Sequence, residues 1–431
     1  KVCLANDSFP PLIDGVANTV INYADIITKK YGSAIVATPE YPKSNDSDFP
    51  FEIVRYKSFN VGKSIGYRAG YPFSISAMNR LTSFEPEIIH SHCPMMSAYL
   101  CRELRSLTKA PLIFTYHTKF DVDISRAIKL EFLQEKAISL VINNIEACDD
   151  VWVVSEGAGE NLKSLGFKGT YTVMPNGVDM PKAPVNEKLL TEIKQKYGLL
   201  EISAPIFLSV GRMKWYKGHK ITIDALRKLR SSGKNFKMLF VGDGSDKKDI
   251  EEYAKECGIY DMCVFTGAIH DREILRTLYF CGDIFVFPST YDTNGIVVRE
   301  AAACSLGSIL IKGSCAAEGV TDGRNGILTD ENSDSLAKAL SAVCDNVGMA
   351  RLIGQNAADE LFISWEQAVE KAVARYGYVM DNIRCGHLNR EHVSFDKRID
   401  TLAAFYKGMA KLKSVNDDFP DINNTNRRRK K

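Results

Sequence analysis

Residues 287–307 read FPSTYDTNGIVVREAAACSLG. They continue an apolar run, Asp283 to Phe287, which has the character of a buried strand that runs out into a loop at Pro288. From Val297 to Leu306 small and apolar residues recur at helical spacing, and Gly307 supplies a stop. Asp292 therefore lies in a loop beyond a strand, and Glu300 lies on the first turns of the helix that follows, with Gly295 between them. In open α/β sheets, ligands bind beyond the carboxyl ends of the strands. Two carboxylates at such a place, beside free helix N–H groups, suit a ligand with many hydroxyls close to a phosphate. Taken alone, they suit equally well a solvated loop Asp and a Glu favoured near a helix N-terminus.

The same strand-then-helix alternation extends along most of the chain, the signature of parallel α/β layers. Strand-like runs in the first half are Val2–Ala5, Ser33–Thr38, Glu87–His90, Leu112–Tyr116, Val151–Val154 and Tyr171–Met174. The second half repeats the scheme at Ile206–Val210, Phe236–Val241, Cys263–Thr266, Asp283–Phe287 and Ser308–Ile311. Between the first two runs, Val20, Ile21, Ala24 and Ile27 give the segment Val16 to Lys30 a helical period. A cluster of Pro and Gly in MPNGVDMPKAPVNEK, residues 174–188, marks the break. The expected organisation is a first domain over residues 1–180, a second over 181–364, and C-terminal helices over 365–413. The first of these helices, WEQAVEKAVARYGYVM, is expected to return to the first domain, and the polar tail 414–431 is expected to be disordered.

Composition narrows the function class. A chain of 431 residues is too long for one ordinary core, and 45% hydrophobic with 25% charged residues is typical of a globular protein. The formal charge is +2, and five basic residues sit in the final stretch Arg427 to Lys431, so the remainder is slightly acidic. No global field draws nucleic acid, and no nucleic-acid motif is present. Eleven cysteines are scattered without a CxxC pair or zinc-like spacing, which leads to the expectation of reduced thiols and a cytoplasmic location. No apolar run is long enough to span a bilayer, which leaves peripheral attachment open.

Several further residues carry chemistry. The first strand of the second domain leads directly into Gly211-Arg212-Met213-Lys214-Trp215-Tyr216-Lys217-Gly218. Arg212 offers a planar fork of donors and Lys217 a mobile point charge, a combination that suits a diphosphate and also an ordinary basic turn. Gly242 and Gly244 follow the next strand and permit close backbone approach, although Lys247 breaks a full GxGxxG. Gly267 places open backbone at the end of the strand after that. In the first domain, Asp14-Gly15-Val16 opens a helix at which Gly15 admits a phosphate or sugar. His90, His92 and His117 end strands; no nearby carboxylate or Cys spacing makes them a zinc site.

With these residues in place, the chain resembles a retaining glycosyltransferase of family 4, of the E-x7-E type. The signals are DGVANTV, IIHSHCP with FTYHTKF, VMPNGVD, SVGRMKWYKG, and the carboxylate pair ending in REAAA, in that order. The resemblance implies the GT-B fold, an α/β architecture of two Rossmann-like doubly wound parallel-sheet domains that face a central cleft. It further implies that Glu300 binds the ribose hydroxyls of a nucleotide sugar. Asp292, with Thr293, Asn294, Gly295 and Ile296, would hold the donor hexose. Arg212 and Lys217 would neutralise the departing diphosphate without a metal. Gly15 would admit the diphosphate, His117 would stand beside the anomeric carbon, and Gly242, Gly244 and Ile269 would meet the ribose and base.

Two positions depart from the family pattern. Asp292 stands where Glu is usual and is one methylene shorter, and Asn294 stands where a phenylalanine-like residue is usual. The implied co-substrate is a nucleotide sugar, with a UDP-hexose favoured and no other cofactor. FTYHTKFD and YRAGYPFS resemble enzymes that glycosylate lipids such as diacylglycerol. Residues 57–136 carry eleven basic against seven acidic groups, which fits a mild membrane-facing patch, or a solvated face. A UDP-sugar 2-epimerase and a non-catalytic nucleotide-sugar-binding protein are the competing readings. The GRxxxxKG loop with a later carboxylate pair fits the first poorly, and intact Arg212, Lys217, Glu300 and His117 argue against the second.

Overall fold

The computed structural model describes residues 1–12, 14–60, 68–120, 124–125 and 130–388. The expectations for the segment beyond residue 388, including the polar tail, lie outside the described residues. The first half of the chain supplies β1 (Val2–Ala5), β2 (Ala34–Pro39), β3 (Glu52–Tyr56), β4 (Ser58–Asn60), β5 (Arg68–Gly70), β6 (Ile88–Ser91), β7 (Leu112–Tyr116), β8 (Asp150–Val153) and β9 (Thr172–Val173). The second half supplies β10 (Ile206–Val210), β11 (Lys237–Val241), β12 (Cys263–Gly267), β13 (Ile284–Phe287), β14 (Ser308–Ile311) and β15 (Ile327–Thr329).

Strand order is β3-β2-β1-β6-β7-β8-β9 in one sheet and β12-β11-β10-β13-β14-β15 in the other, with β4 and β5 paired as a separate antiparallel ribbon. The pairs within the two large sheets are parallel. In each the chain starts at a central strand, winds outward, then returns to the other side, so both are doubly wound. The order reverses between β1 and β6 and again between β10 and β13.

The strands read as unbroken apolar runs because both faces of such a sheet are covered. Along β13, Phe285 and Phe287 enter one buried cluster with Leu208, Leu239 and Leu310. Ile284 and Val286 enter the opposite cluster with Phe207, Met238, Phe240 and Ile309. Period-two alternation between two apolar layers thus fixes the strand register and aims its carboxyl end at the loop 288–295.

The described residues form two compact units: those within 1–114 with 139–150 and 376–388, and those within 115–138 with 151–375. The strand and helix expectations hold with shifts of one to a few residues at their ends, and three features differ more. Strands β3 and β15 and the β4–β5 ribbon had no counterpart in the sequence reading. The helix expected over Val297–Leu306 spans Ile296–Ala303. It is ended by Ser305 in the left-handed region at φ 53°, and Gly307 instead accepts from the Phe285 N–H at the foot of β13. The final helix expected from Trp365 is present as Trp365–Arg384.

Candidate active site

The loops after β10 and β13 flank the reversal point of the second sheet, and they bring together the two groups that the sequence placed 75 residues apart. Lys217 Nζ lies 2.5 Å from Asp292 Oδ1, with both side chains largely buried. Ser289 Oγ donates to the other carboxylate oxygen of Asp292 at 2.7 Å. The Lys217 ammonium also lies 5.7 Å from the Tyr216 ring and 5.9 Å from the Phe287 ring, which confines it on its apolar side. Arg212 is exposed and, among the described residues, pairs with no carboxylate.

Glycine makes this geometry possible. Gly218 sits at φ 81°, and a Cβ there would fall 2.2 Å from the Pro288 carbonyl oxygen, so only glycine lets the two loops touch. Gly242 and Gly244 have a similar packing role: a Cβ on either would strike the Gly211 or the Met213 carbonyl oxygen. Their neighbours are stitched by Gly211 N–H to Val241 O and Gly242 N–H to Gly267 O, both 3.0 Å. The close approach at these glycines is to the adjacent loop. Ile269 packs against the core on the same edge.

Glu300 is buried in the helix Ile296–Ala303. Arg272 Nη2 donates to its Oε1 and the Tyr279 hydroxyl to its Oε2, both at 2.9 Å. Both donors come from the helix Arg272–Cys281, and sequence reading had singled out neither. Spacing within that helix, at seven residues, was the available signal: it puts the two side chains on one face. Burial and the Glu300 charge raise the Tyr279 hydroxyl well above its ordinary range, so it stays a donor.

The loop itself is pinned from two sides within the second unit. Thr293 Oγ1 donates to the His117 carbonyl at 2.7 Å, and Ser155 Oγ donates to the Thr293 carbonyl at 2.5 Å. His117 is buried, and burial pushes its imidazole down to about 3, so the ring is neutral at physiological pH. Gly295 opens the next helix at φ 57° and abuts Ala316, where a Cβ would come within 2.9 Å. Asn294 is 8% exposed, and neither atom of its amide has a hydrogen-bond partner.

Gly15 belongs to the first unit. No atom would lie within 4 Å of a Cβ built there, so the surface is open. The helix N–H groups it was expected to offer are taken by Asp14, whose Oδ1 accepts from Val16 N–H at 2.9 Å and Ala17 N–H at 2.7 Å. A second capping carboxylate escaped the sequence reading: buried Asp7, beyond β1, accepts from Met96 and Ser97 N–H at 3.0 and 2.9 Å. His90 and His92 stack 4.1 Å apart beside Tyr23, and His90 Nδ1 lies 2.7 Å from the Tyr376 hydroxyl. Among the described residues no group of His, Cys, Asp and Glu is arranged to hold a metal, and all eleven cysteines are free.

Comparison with known proteins agrees with this architecture. Residues 13–181 match the model for Glycosyltransferase Family 4, and residues 191–360 match that for Glycosyl transferases group 1. The alpha-monoglucosyldiacylglycerol synthase of Streptococcus pneumoniae is 24% identical over 70% of this chain and 69% of its own length. The enzyme of the same name from Acholeplasma laidlawii is 23% identical over 83% of this chain and 91% of its own. Among solved structures, Anabaena HepE in complex with UDP superposes with a TM-score of 0.69 at 17% identity, covering 88% of this chain and all of that one. With two doubly wound sheets and tandem matches to both family models, the chain is a GT-B glycosyltransferase of the family 4 type.

Proposed function

We propose that the protein moves a hexosyl group from a nucleoside-diphosphate sugar, with a UDP-hexose favoured, to a hydroxyl of a lipid acceptor at a membrane surface, retaining anomeric configuration. The observation that carries the reading is the Lys217–Asp292 pair at the reversal point of the second sheet, 2.5 Å apart and poised to exchange partners. An arriving diphosphate draws Lys217, and Arg212 adds a second cation, so the leaving group's charge is met by fixed donors. Asp292, released from Lys217, accepts from hexose hydroxyls, and Glu300 accepts from the ribose hydroxyls. Neutral His117 is compatible with the positive charge that develops at the anomeric carbon, where an imidazolium would oppose it. The acceptor hydroxyl attacks from the face the diphosphate leaves, and a departing phosphate oxygen takes its proton.

The choice of UDP is supported by the UDP complex of the HepE neighbour, and the choice of lipid by the names of the two diacylglycerol-related synthases. Leu130, Phe132 and Leu133 are exposed beside Lys136 at the start of the helix Glu131–Glu146, a composition suited to a lipid headgroup boundary. Among the described residues no helix is long and apolar enough to cross a membrane. A peripheral position on the cytoplasmic face of a membrane is part of this proposal, and the exposed apolar residues beside Lys136 are what support it. With Arg212 and Lys217 in the role that a metal fills elsewhere, turnover is expected to persist in EDTA.

The test is a panel of nucleotide sugars, each added to the protein and followed by melting temperature. A UDP-sugar is expected to raise it, and Glu300→Ala to abolish the rise. A rise that Glu300→Ala leaves intact would refute the donor assignment.

A further inference from the structure

Beyond the donor groups, the second unit holds a cavity of about 380 Å³, at the lower end of small-molecule sites, that none of the groups assigned above uses. Its walls come from the segments that follow β7, β13, β14 and β15 and from the helix Glu156–Ser164. Lys119, Glu160, Thr290, Lys312, Ser314 and Glu331 line it. Thr290 is two residues from Asp292, so one wall is the loop that carries the proposed hexose ligand. The opposite wall is held rigid by Glu318, whose carboxylate caps the helix through Glu156 N–H and Gly157 N–H, both at 2.7 Å.

Two observations say that something polar belongs here. Ser314 lines the cavity at 7% exposure, and its hydroxyl is buried without a hydrogen-bond partner. In the abutting loop, both amide atoms of Asn294 are in the same condition. Unsatisfied buried polar groups are destabilising and few in native proteins. Ser314, in the cavity's own lining, marks a place where a ligand's hydroxyl completes the hydrogen bonding; Asn294 does not line the cavity but sits in the loop that touches that wall through Gly295 and Ala316.

The charge of the walls decides the ligand class. Lys119 and Lys312 face Glu160, Glu331 and Asp330, so the cavity has donors and acceptors and no excess of positive charge. A phosphate would meet three carboxylates, and an alkyl chain would strip water from five charged groups. A neutral ring with several hydroxyls matches both signs. We infer that this cavity is an acceptor subsite for a sugar ring, and that the acceptor presents a sugar head group to the donor loop rather than a bare glycerol hydroxyl. The inference rests on the transferase reading for the word acceptor, and on the cavity alone for the sugar.

Saturation-transfer NMR with methyl α-D-glucopyranoside as the probe needs no turnover, so it tests the subsite apart from the donor chemistry. Saturation is expected to reach the ring protons in the full-length wild type and to fall at least five-fold in Ser314→Tyr, which fills the cavity. UDP binding by that variant reports its fold. Should Ser314→Tyr not fold, Lys119→Ala, at a half-buried rim position, is expected to lower the saturation two-fold or more. No saturation in the wild type, or equal saturation in the folded variant, overturns the subsite. Saturation of the glycoside together with no response to any UDP-sugar would leave the subsite standing and overturn the proposed donor.

Discussion

Replacing Asp292 by Asn should tighten the binding of UDP while it slows transfer. Lys217 Nζ is held at 2.5 Å by Asp292 Oδ1, with side-chain exposures of 12% and 22%. Exposed ion pairs are worth about 0–1 kcal/mol, and a pair shielded to this degree about 1–2 kcal/mol at an intermediate dielectric. In the wild type a diphosphate competes with that attraction and feels the repulsion of the carboxylate. The variant removes both terms and keeps the shape, and Ser289 retains an oxygen to which it donates. A gain of about 1–2 kcal/mol corresponds to a Kd about 5–30-fold lower. Transfer loses hydrogen bonds that the hexose hydroxyls donate to a charged acceptor, each worth about 1.5–3 kcal/mol, so kcat/KM falls by about 10–150-fold. Titration calorimetry with UDP reads the first effect and steady-state kinetics the second. A Lys217→Met background closes a double-mutant cycle, in which the Asn substitution should lose the part of its effect that comes from freeing Lys217 and keep only the gain from lost carboxylate repulsion. Unchanged or weaker UDP binding by Asp292→Asn would refute the partner exchange.

Three further outcomes follow from buried groups. Tyr279→Phe deletes the 2.9 Å donor to Glu300 Oε2 and should lower stability by about 1–2 kcal/mol and weaken UDP binding several-fold, read by denaturation and calorimetry. Glu103, 1% exposed and without a hydrogen-bond partner, is raised by burial to about 8. Its proton is retained on folding, so the stability it permits is full below pH 4.5 and is lost as pH rises toward 8; Glu103→Met should add about 2 kcal/mol at pH 7.5 and less at pH 5, seen as a higher Tm. Burial lowers His117 to about 3 and His219 to about 4, so the folded form refuses protons that the unfolded chain takes below about 6.5. Stability should therefore decline as pH falls below 6.5, by about 2 kcal/mol per histidine at pH 5, and His117→Gln should remove half of that slope.

Much of the fold was legible because doubly covered parallel strands are continuous apolar runs, and the loops at their ends carry Gly and charge. Strand β3 was not legible: exposed Glu52 shares a face with buried Val54 and Tyr56 while Ile53 and Arg55 are half-buried, so no clean alternation shows, and its pairing to β2 decides its conformation. β15 is three residues long, too short to have a period. Of the candidate site, the residues were visible and their partners were not. Lys217 and Asp292 were read as ligands of different parts of one substrate, and their mutual ion pair arises only when two loops 75 residues apart meet over Gly218. Tyr279 and Arg272 sit in an amphipathic helix whose seven-residue spacing puts them on one face, but that spacing does not say which carboxylate lies beneath it. Gly242 and Gly244 were read as points where backbone approaches a ribose or phosphate; the group that approaches them in the structure is the neighbouring loop.

The most direct test of the central claim is mass spectrometry of the full chain incubated with a panel of nucleotide sugars and a lipid extract. The expected product is a lipid heavier by one hexosyl unit, formed from a UDP-hexose in the presence of EDTA, α-configured by NMR, and absent with Glu300→Ala. Free UDP without a glycosylated product, an epimerised donor, or a product that Glu300→Ala still forms at the wild-type rate would contradict it.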